Sequence, residues 1–199
     1  MQEKESYITS LVELLEKNPH YTRHFDHRGK KAVMFLDFSN ILCQAHELSV
    51  WIDLEDLVYI FSKLFNLKGH YAFTSCNLTR GLVDFLYDTG FVVYQSPFDS
   101  DAIMGYTICS VARESDLDMV LIGTHDGGFR GVRDQLTQTG VNVAFVGFRE
   151  MFSHYLKSDC LYCFEDMNIL SPLKRNESNS THTTDVEIKS RAITDWQEY

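Results

Sequence analysis

Four consecutive apolar residues, Val33, Met34, Phe35 and Leu36, run between the basic pair Lys30-Lys31 and a polar break that begins at Asp37. A run without polar alternation suits a strand covered on both faces, as in a parallel sheet held between helices. Parallel neighbours need long crossovers, which are mostly helical and right-handed. Asp37 falls at the carboxyl end of this strand, where open α/β sheets bind ligands. A carboxylate is costly to desolvate unless it meets a cation or several donors. Asp37 is therefore expected either to cap the next segment or to ligate a metal.

The remaining chain alternates between the two kinds of segment. Strands are expected at 33–36, 70–74, 91–94, 119–122 and 141–146, with a last short one at 161–164. Helices are expected at 6–17, 54–65, 78–89, 101–113, 129–137 and 148–156. Ser6 and Asp53 suit N-caps, Gly90 suits a helix C-terminus, and Pro97 stops the third strand. The first helix would turn Ile8, Leu11, Leu14 and Leu15 inward, and the helix over 101–113 is apolar on most sides, hence expected buried. The expected fold is α/β: a Rossmann-like parallel sheet of about five strands with helices on both faces. One domain over 31–168 would follow an N-terminal helix and connector (1–30) and precede a polar tail (169–199) in which Ile193 and Trp196 stand alone.

A formal net charge of −10 argues against coating nucleic acid by electrostatics alone. It leaves open an enzyme that acts on nucleic acid through carboxylate-held Mg²⁺ or Mn²⁺, because the bound ion inverts the local field. Five cysteines in apolar surroundings fit reduced thiols, and no apolar run reaches membrane-spanning length. A cytoplasmic protein without a membrane partner is expected, in which the sequons at Asn77, Asn176 and Asn179 go unused.

Three acidic features fall where loops after adjacent parallel strands converge. Asp37 ends the first strand, Asp99-Ser100-Asp101 precedes the middle helix, and Thr124-His125-Asp126-Gly127-Gly128 follows the fourth strand. Several carboxylates in one pocket do not ionise comfortably together, and a hard divalent cation relieves the conflict. Arg130 and Arg133 on the next helix are candidates for phosphate contact, with a solvated face as the plain alternative. His125 is either a general base beside Asp126 or a ring packed for shape. His20, His24 and His27 recur at helical spacing without a thiol or carboxylate pair, and Cys160 and Cys163 form half a zinc motif with no second half; neither is read as a metal site.

Asp37-Phe38-Ser39-Asn40, Asp101 opening a helix, and Leu121-Ile-Gly-Thr-His-Asp-Gly-Gly-Phe129 together resemble the NYN domain, a PIN-like nuclease, in its LabA-like branch. The segment Gly140-Val-Asn-Val-Ala-Phe-Val-Gly-Phe148, followed by Asp159 and Phe164, is similar too, so the resemblance spans about 31–167. It implies a ribonuclease that hydrolyses RNA phosphodiester bonds with Mg²⁺ or Mn²⁺ held by Asp37, Asp101 and Asp126; Asp99, outside the family pattern, is a candidate donor to compensate for acids missing here. Asn40 would orient Asp37 or a substrate phosphate and Thr124 would bond the acidic cluster. Ser39, His125, Arg130 and Arg133 would line the substrate path. The family's second loop acid falls at Gly128, its acid on the middle helix at Thr107, and its lysine before that helix at Phe98. Those departures define the alternative, a catalytically weakened NYN domain acting as an RNA- or protein-binding regulatory module; a protein partner or a homo-oligomer is among the expected partners.

Overall fold

The computed structural model describes residues 2–17, 29–156 and 160–173. Six strands form one parallel sheet: β1 (Lys31–Asp37), β3 (Asn66–Thr74), β4 (Val92–Gln95), β5 (Met119–Gly123), β6 (Asn142–Gly147) and β7 (Cys160–Cys163), in the order β4-β3-β1-β5-β6-β7. Two short antiparallel strands, β2 (Val50–Ile52) and β8 (Leu170–Pro172), pair beside it. The helices are α1 (Gln2–Lys17), α2 (Phe38–Glu47), α3 (Leu54–Leu64), α4 (Arg80–Asp88), α5 (Ser100–Glu114) and α6 (Arg130–Gln138). This is a Rossmann-like α/β arrangement, and its sheet takes in all six expected strands, the short last one included.

The side chains of β1 divide between two cores, as a doubly covered strand requires. Ala32, Met34 and Leu36 join the core that holds Ile41 of α2, Leu57 and Phe61 of α3, and Leu82 and Leu86 of α4. Val33 and Phe35 join the opposite core with Met104 and Ile108 of α5 and Leu136 of α6. Aromatic rings continue that second core toward the sheet edge: Phe35 stacks on Tyr71 at 5.0 Å between centroids, and Phe73 stacks on Tyr94 at 4.8 Å.

Several expectations are corrected. A helix, α2, follows β1 directly; its apolar positions Phe38, Ile41 and Ala45 recur at helical spacing, and Asp37 is its N-cap. The middle helix α5 is not buried all round, since Tyr106 is 76% exposed on its outer side. The segment expected to be helical over 148–156 is a 3₁₀ turn (Arg149–Met151) and then a loop. In α1, Ile8, Leu11, Val12 and Leu15 are buried in the first core, Leu14 faces out, and Ser6 lies inside the helix. So α1 is built into the fold rather than standing apart from it.

The expected boundary at 168/169 cuts the fold as well. Ile169 is buried, its carbonyl accepts the Asp53 N–H at 2.9 Å, and Leu173 N–H donates to the Ser49 carbonyl at 2.9 Å. The histidines at 20, 24 and 27, Asp159, and the tail residues Ile193 and Trp196 lie outside the described residues. A chain ended at residue 168 should melt lower than one ended at 173. Losing one buried isoleucine and the β2–β8 hydrogen bonds costs about 2–4 kcal/mol, a fall of roughly 4–15 °C by calorimetry.

Candidate functional site

The winding reverses at β1. From β1 the chain proceeds outward through β3 to β4, and after α5 it returns to β5 on the other side of β1 and proceeds to β6 and β7. A crevice opens at such a switch point, outside the carboxyl ends of the two central strands. Asp37 ends β1 and Thr124 follows β5, so both stand at this crevice.

Asp37 is only 5% exposed. Its Oδ1 accepts the Asn40 N–H at 3.1 Å, capping α2, and its Oδ2 accepts the Thr124 hydroxyl at 3.3 Å. The same hydroxyl accepts the Asp126 N–H at 3.2 Å, so Thr124 links the two acidic residues. Burial, reinforced by the charges of Asp101 and Asp126, pushes the Asp37 pKa up to about 6 despite those two hydrogen bonds. Asp101, in the first turn of α5, is raised too, by burial and then by Asp126 and Asp99. Asp37, Asp101 and Asp126 therefore act on one another at one mouth.

Asp99, expected among the ligands, is the N-cap of α5, its Oδ1 accepting the Ala102 N–H at 3.1 Å. Arg130 and Arg133 reach Asp134 on their own helix, with Nε–O distances of 3.9 and 2.7 Å. Ser39 faces the β3 side, where its hydroxyl meets Thr74 Oγ1 at 3.0 Å and accepts the Ser75 N–H at 3.0 Å. Thr74 and Ser75 were not anticipated. The signal was present as a Thr-Ser pair closing the strand next to β1, but strand order was needed to use it.

His125 is buried, and both ring nitrogens are engaged. Nε2 accepts the Phe148 N–H at 2.8 Å, which leaves the proton on Nδ1 to be donated to Asn40 Oδ1 at 2.7 Å. Asn40 Oδ1 also accepts the His125 backbone N–H at 3.1 Å. The ring lies between Phe148 and Phe152, at centroid distances of 5.8 and 5.4 Å, and a Cβ at Gly147 would sit 2.5 Å from Nε2. Burial lowers its pKa to about 4. This is the packed alternative: a neutral clamp that ties α2 and the end of β6 to the acidic loop. The Asn40 side chain is committed to that clamp, and only its backbone N–H serves Asp37.

Among the described residues no group of three or more His, Cys, Asp or Glu side chains is set to hold an ion between them. Carboxylate oxygens are the donor type that Mg²⁺ and Mn²⁺ take. Mg²⁺ takes one or two carboxylates directly and completes its shell with water and substrate oxygens. Asp126 Oδ1 accepts the Gly128 N–H at 2.8 Å, and each carboxylate oxygen keeps a second lone pair.

No family model and no curated protein matches the chain. A solved structure does. A Vibrio parahaemolyticus protein of unknown function superposes with a TM-score of 0.60 at 18% identity, covering 70% of this chain and 94% of that one. The likeness is one of fold. Within the described residues, no helix is long and apolar enough to cross a membrane.

Proposed function

We propose that this chain is a metal-dependent ribonuclease of the NYN, PIN-like type, with its centre at the switch point beside β1. The observation that carries the reading is a buried Asp37 tied through the Thr124 hydroxyl to Asp126, with Asp101 near enough for its charge to raise the Asp37 pKa. A built-in cluster of like charges is unfavourable by itself and becomes favourable around a cation. When bound, Mg²⁺ or Mn²⁺ supplies Lewis acidity to a scissile phosphate and lowers the pKa of a water. Asp37, Asp101 and Asp126 would hold it. Thr124 fixes Asp37 relative to Asp126, and the clamp of His125 on Asn40 fixes the loop that carries Asp126. With both nitrogens occupied, His125 is not the base; Arg130, exposed at the start of α6, is the nearer candidate for a phosphate contact.

A second reading, a non-catalytic module that binds RNA or a protein partner, draws on Gly128. That position follows the acidic loop without a carboxylate, and among the described residues no three His, Cys, Asp or Glu side chains are set around one ion position. The Gly128→Asp variant separates the readings. Gly128 has no left-handed backbone angle, so aspartate is conformationally acceptable there. Its Cβ would lie 3.4 Å from Asp126 Oδ2, which adds a fourth carboxylate to the mouth. Titration calorimetry should show Mn²⁺ binding tightened by about tenfold or more, since one added charge-assisted ligand contributes on the order of 1.5–3 kcal/mol. Cleavage of a labelled single-stranded RNA should rise in parallel. A folded variant that binds no more Mn²⁺, with both proteins inert on RNA, would leave the binding module as the reading.

A further inference from the structure

The turn after β6 leaves two aromatic rings standing beside the acidic loop. Phe152 and Leu156 are buried at either end of it. Ser153 N–H donates to the His125 carbonyl at 3.0 Å, and Leu156 N–H to the Ser153 carbonyl at 2.9 Å. Between these anchors His154 and Tyr155 face outward, with ring centroids 3.7 Å apart and planes tilted by 40°. Tyr155 is 53% exposed. Gly127, next after Asp126, is what admits it: a Cβ there would sit 2.8 Å from Ser153 Oγ and 3.0 Å from Tyr155 Cδ2. The tyrosine ring is thus seated against the backbone of the loop that carries Asp126, with its remaining surface open.

We propose that His154 and Tyr155 form a stacking subsite that holds an unpaired nucleobase of single-stranded RNA next to the acidic centre. The proposal rests on the RNA-cleaving reading and names the form of substrate it takes. Every base offers a π face, so stacking is tolerant of sequence, and it selects single strands because duplex bases already stack on each other. In a chain of formal net charge −10 phosphate contacts are few, so aromatic contact adds affinity to that of a bound cation and Arg130.

The test measures anisotropy of a fluorescein-labelled oligoadenylate with the full-length Asp37→Asn protein in Mg²⁺, where cleavage does not erode the probe. Tyr155→Ala should weaken binding roughly 5- to 150-fold. Tyr155→Phe should bind like the parent, and an abasic oligonucleotide of equal length should bind the parent as weakly as the oligoadenylate binds the Tyr155→Ala protein. Tyr106→Ala, an equal deletion on the outer side of α5, should change nothing. A Tyr155→Ala protein within twofold of the parent, or an equal loss from Tyr106→Ala, overturns the stacking site while leaving the ribonuclease reading intact. A parent that binds no oligonucleotide, alongside a wild type that cleaves none, overturns both.

Discussion

Asp37→Asn should give a protein that melts higher than wild type at pH 7.5 and cleaves no RNA. The buried carboxyl holds its proton up to about pH 6, against 3.8 for the ordinary group. The native state therefore binds more protons than the unfolded chain between those values, and stability falls as pH rises through them. Above pH 6 the full penalty is present, on the order of 3 kcal/mol for about two pKa units. The amide removes the charge, keeps the size, and still accepts one of the two hydrogen bonds. A net gain of about 1–2 kcal/mol, or roughly 2–8 °C, is expected by calorimetry. The advantage should shrink toward pH 4 and vanish below it. Mg²⁺ at a hundredfold excess over its dissociation constant should stabilise wild type by about 2.7 kcal/mol and the variant hardly at all. A variant that melts at or below wild type, with the same Mg²⁺ response, would remove the basis for a strained acidic centre. On the proposed ribonuclease reading, Asp37→Asn should reduce cleavage by at least about a thousandfold, equivalent to roughly 4 kcal/mol of transition-state stabilisation.

The largest loss of stability is expected from His125→Leu. Leucine fills much of the volume but offers no acceptor to the buried Phe148 N–H and no donor to Asn40 Oδ1. Unsatisfied buried groups cost about 1–3 kcal/mol each, and the stacked contact with Phe148 and the tilted one with Phe152 are also lost. The expected total is about 3–5 kcal/mol, a drop of roughly 6–20 °C. The histidine's pKa falls from 6.5 to about 4 on folding, so the unfolded chain binds the extra proton. Its contribution is complete above pH 6.5 and is lost as pH falls toward 4, which narrows the gap between wild type and variant in acid. The two titrations oppose each other between pH 4 and 6. Wild-type stability should vary less over that interval than either variant's, with Asp37→Asn losing stability in acid and His125→Leu gaining it.

The central part of this arrangement is legible in the residues. An unbroken apolar run predicts a doubly covered strand, and the alternation of segments predicts parallel neighbours, so the placement of Asp37 follows from local pattern. What pattern does not carry is which distant groups share a bond. The imidazole of His125 gives no sign in the chain of facing Asn40, nor Ser39 of facing Thr74; strand order supplies both. The helix α2 hid behind the dual meaning of Asp37, whose capping bond to Asn40 marks a helix start as clearly as an acid marks a metal site. The pair β2 and β8 is three residues long on each side and joins positions more than a hundred residues apart, so no window of sequence reveals it. For α5 the apolar count misled, because tyrosine and isoleucine side chains on its outer face meet solvent.

The bonds that assemble the crevice join remote parts of the chain. Thr124 and Asp37 are 87 residues apart in sequence, and His125 and Asn40 are 85 apart. Contacts of such separation close long loops, and the crevice bonds are expected to form late along the route to the native state. Repulsion among the carboxylates is then nearly absent from the rate-limiting ensemble and felt fully once the molecule is folded. Interactions of that kind alter the unfolding rate and leave the folding rate almost unchanged. The acidic crevice is therefore expected to govern the lifetime of the folded molecule far more than the speed with which it is made.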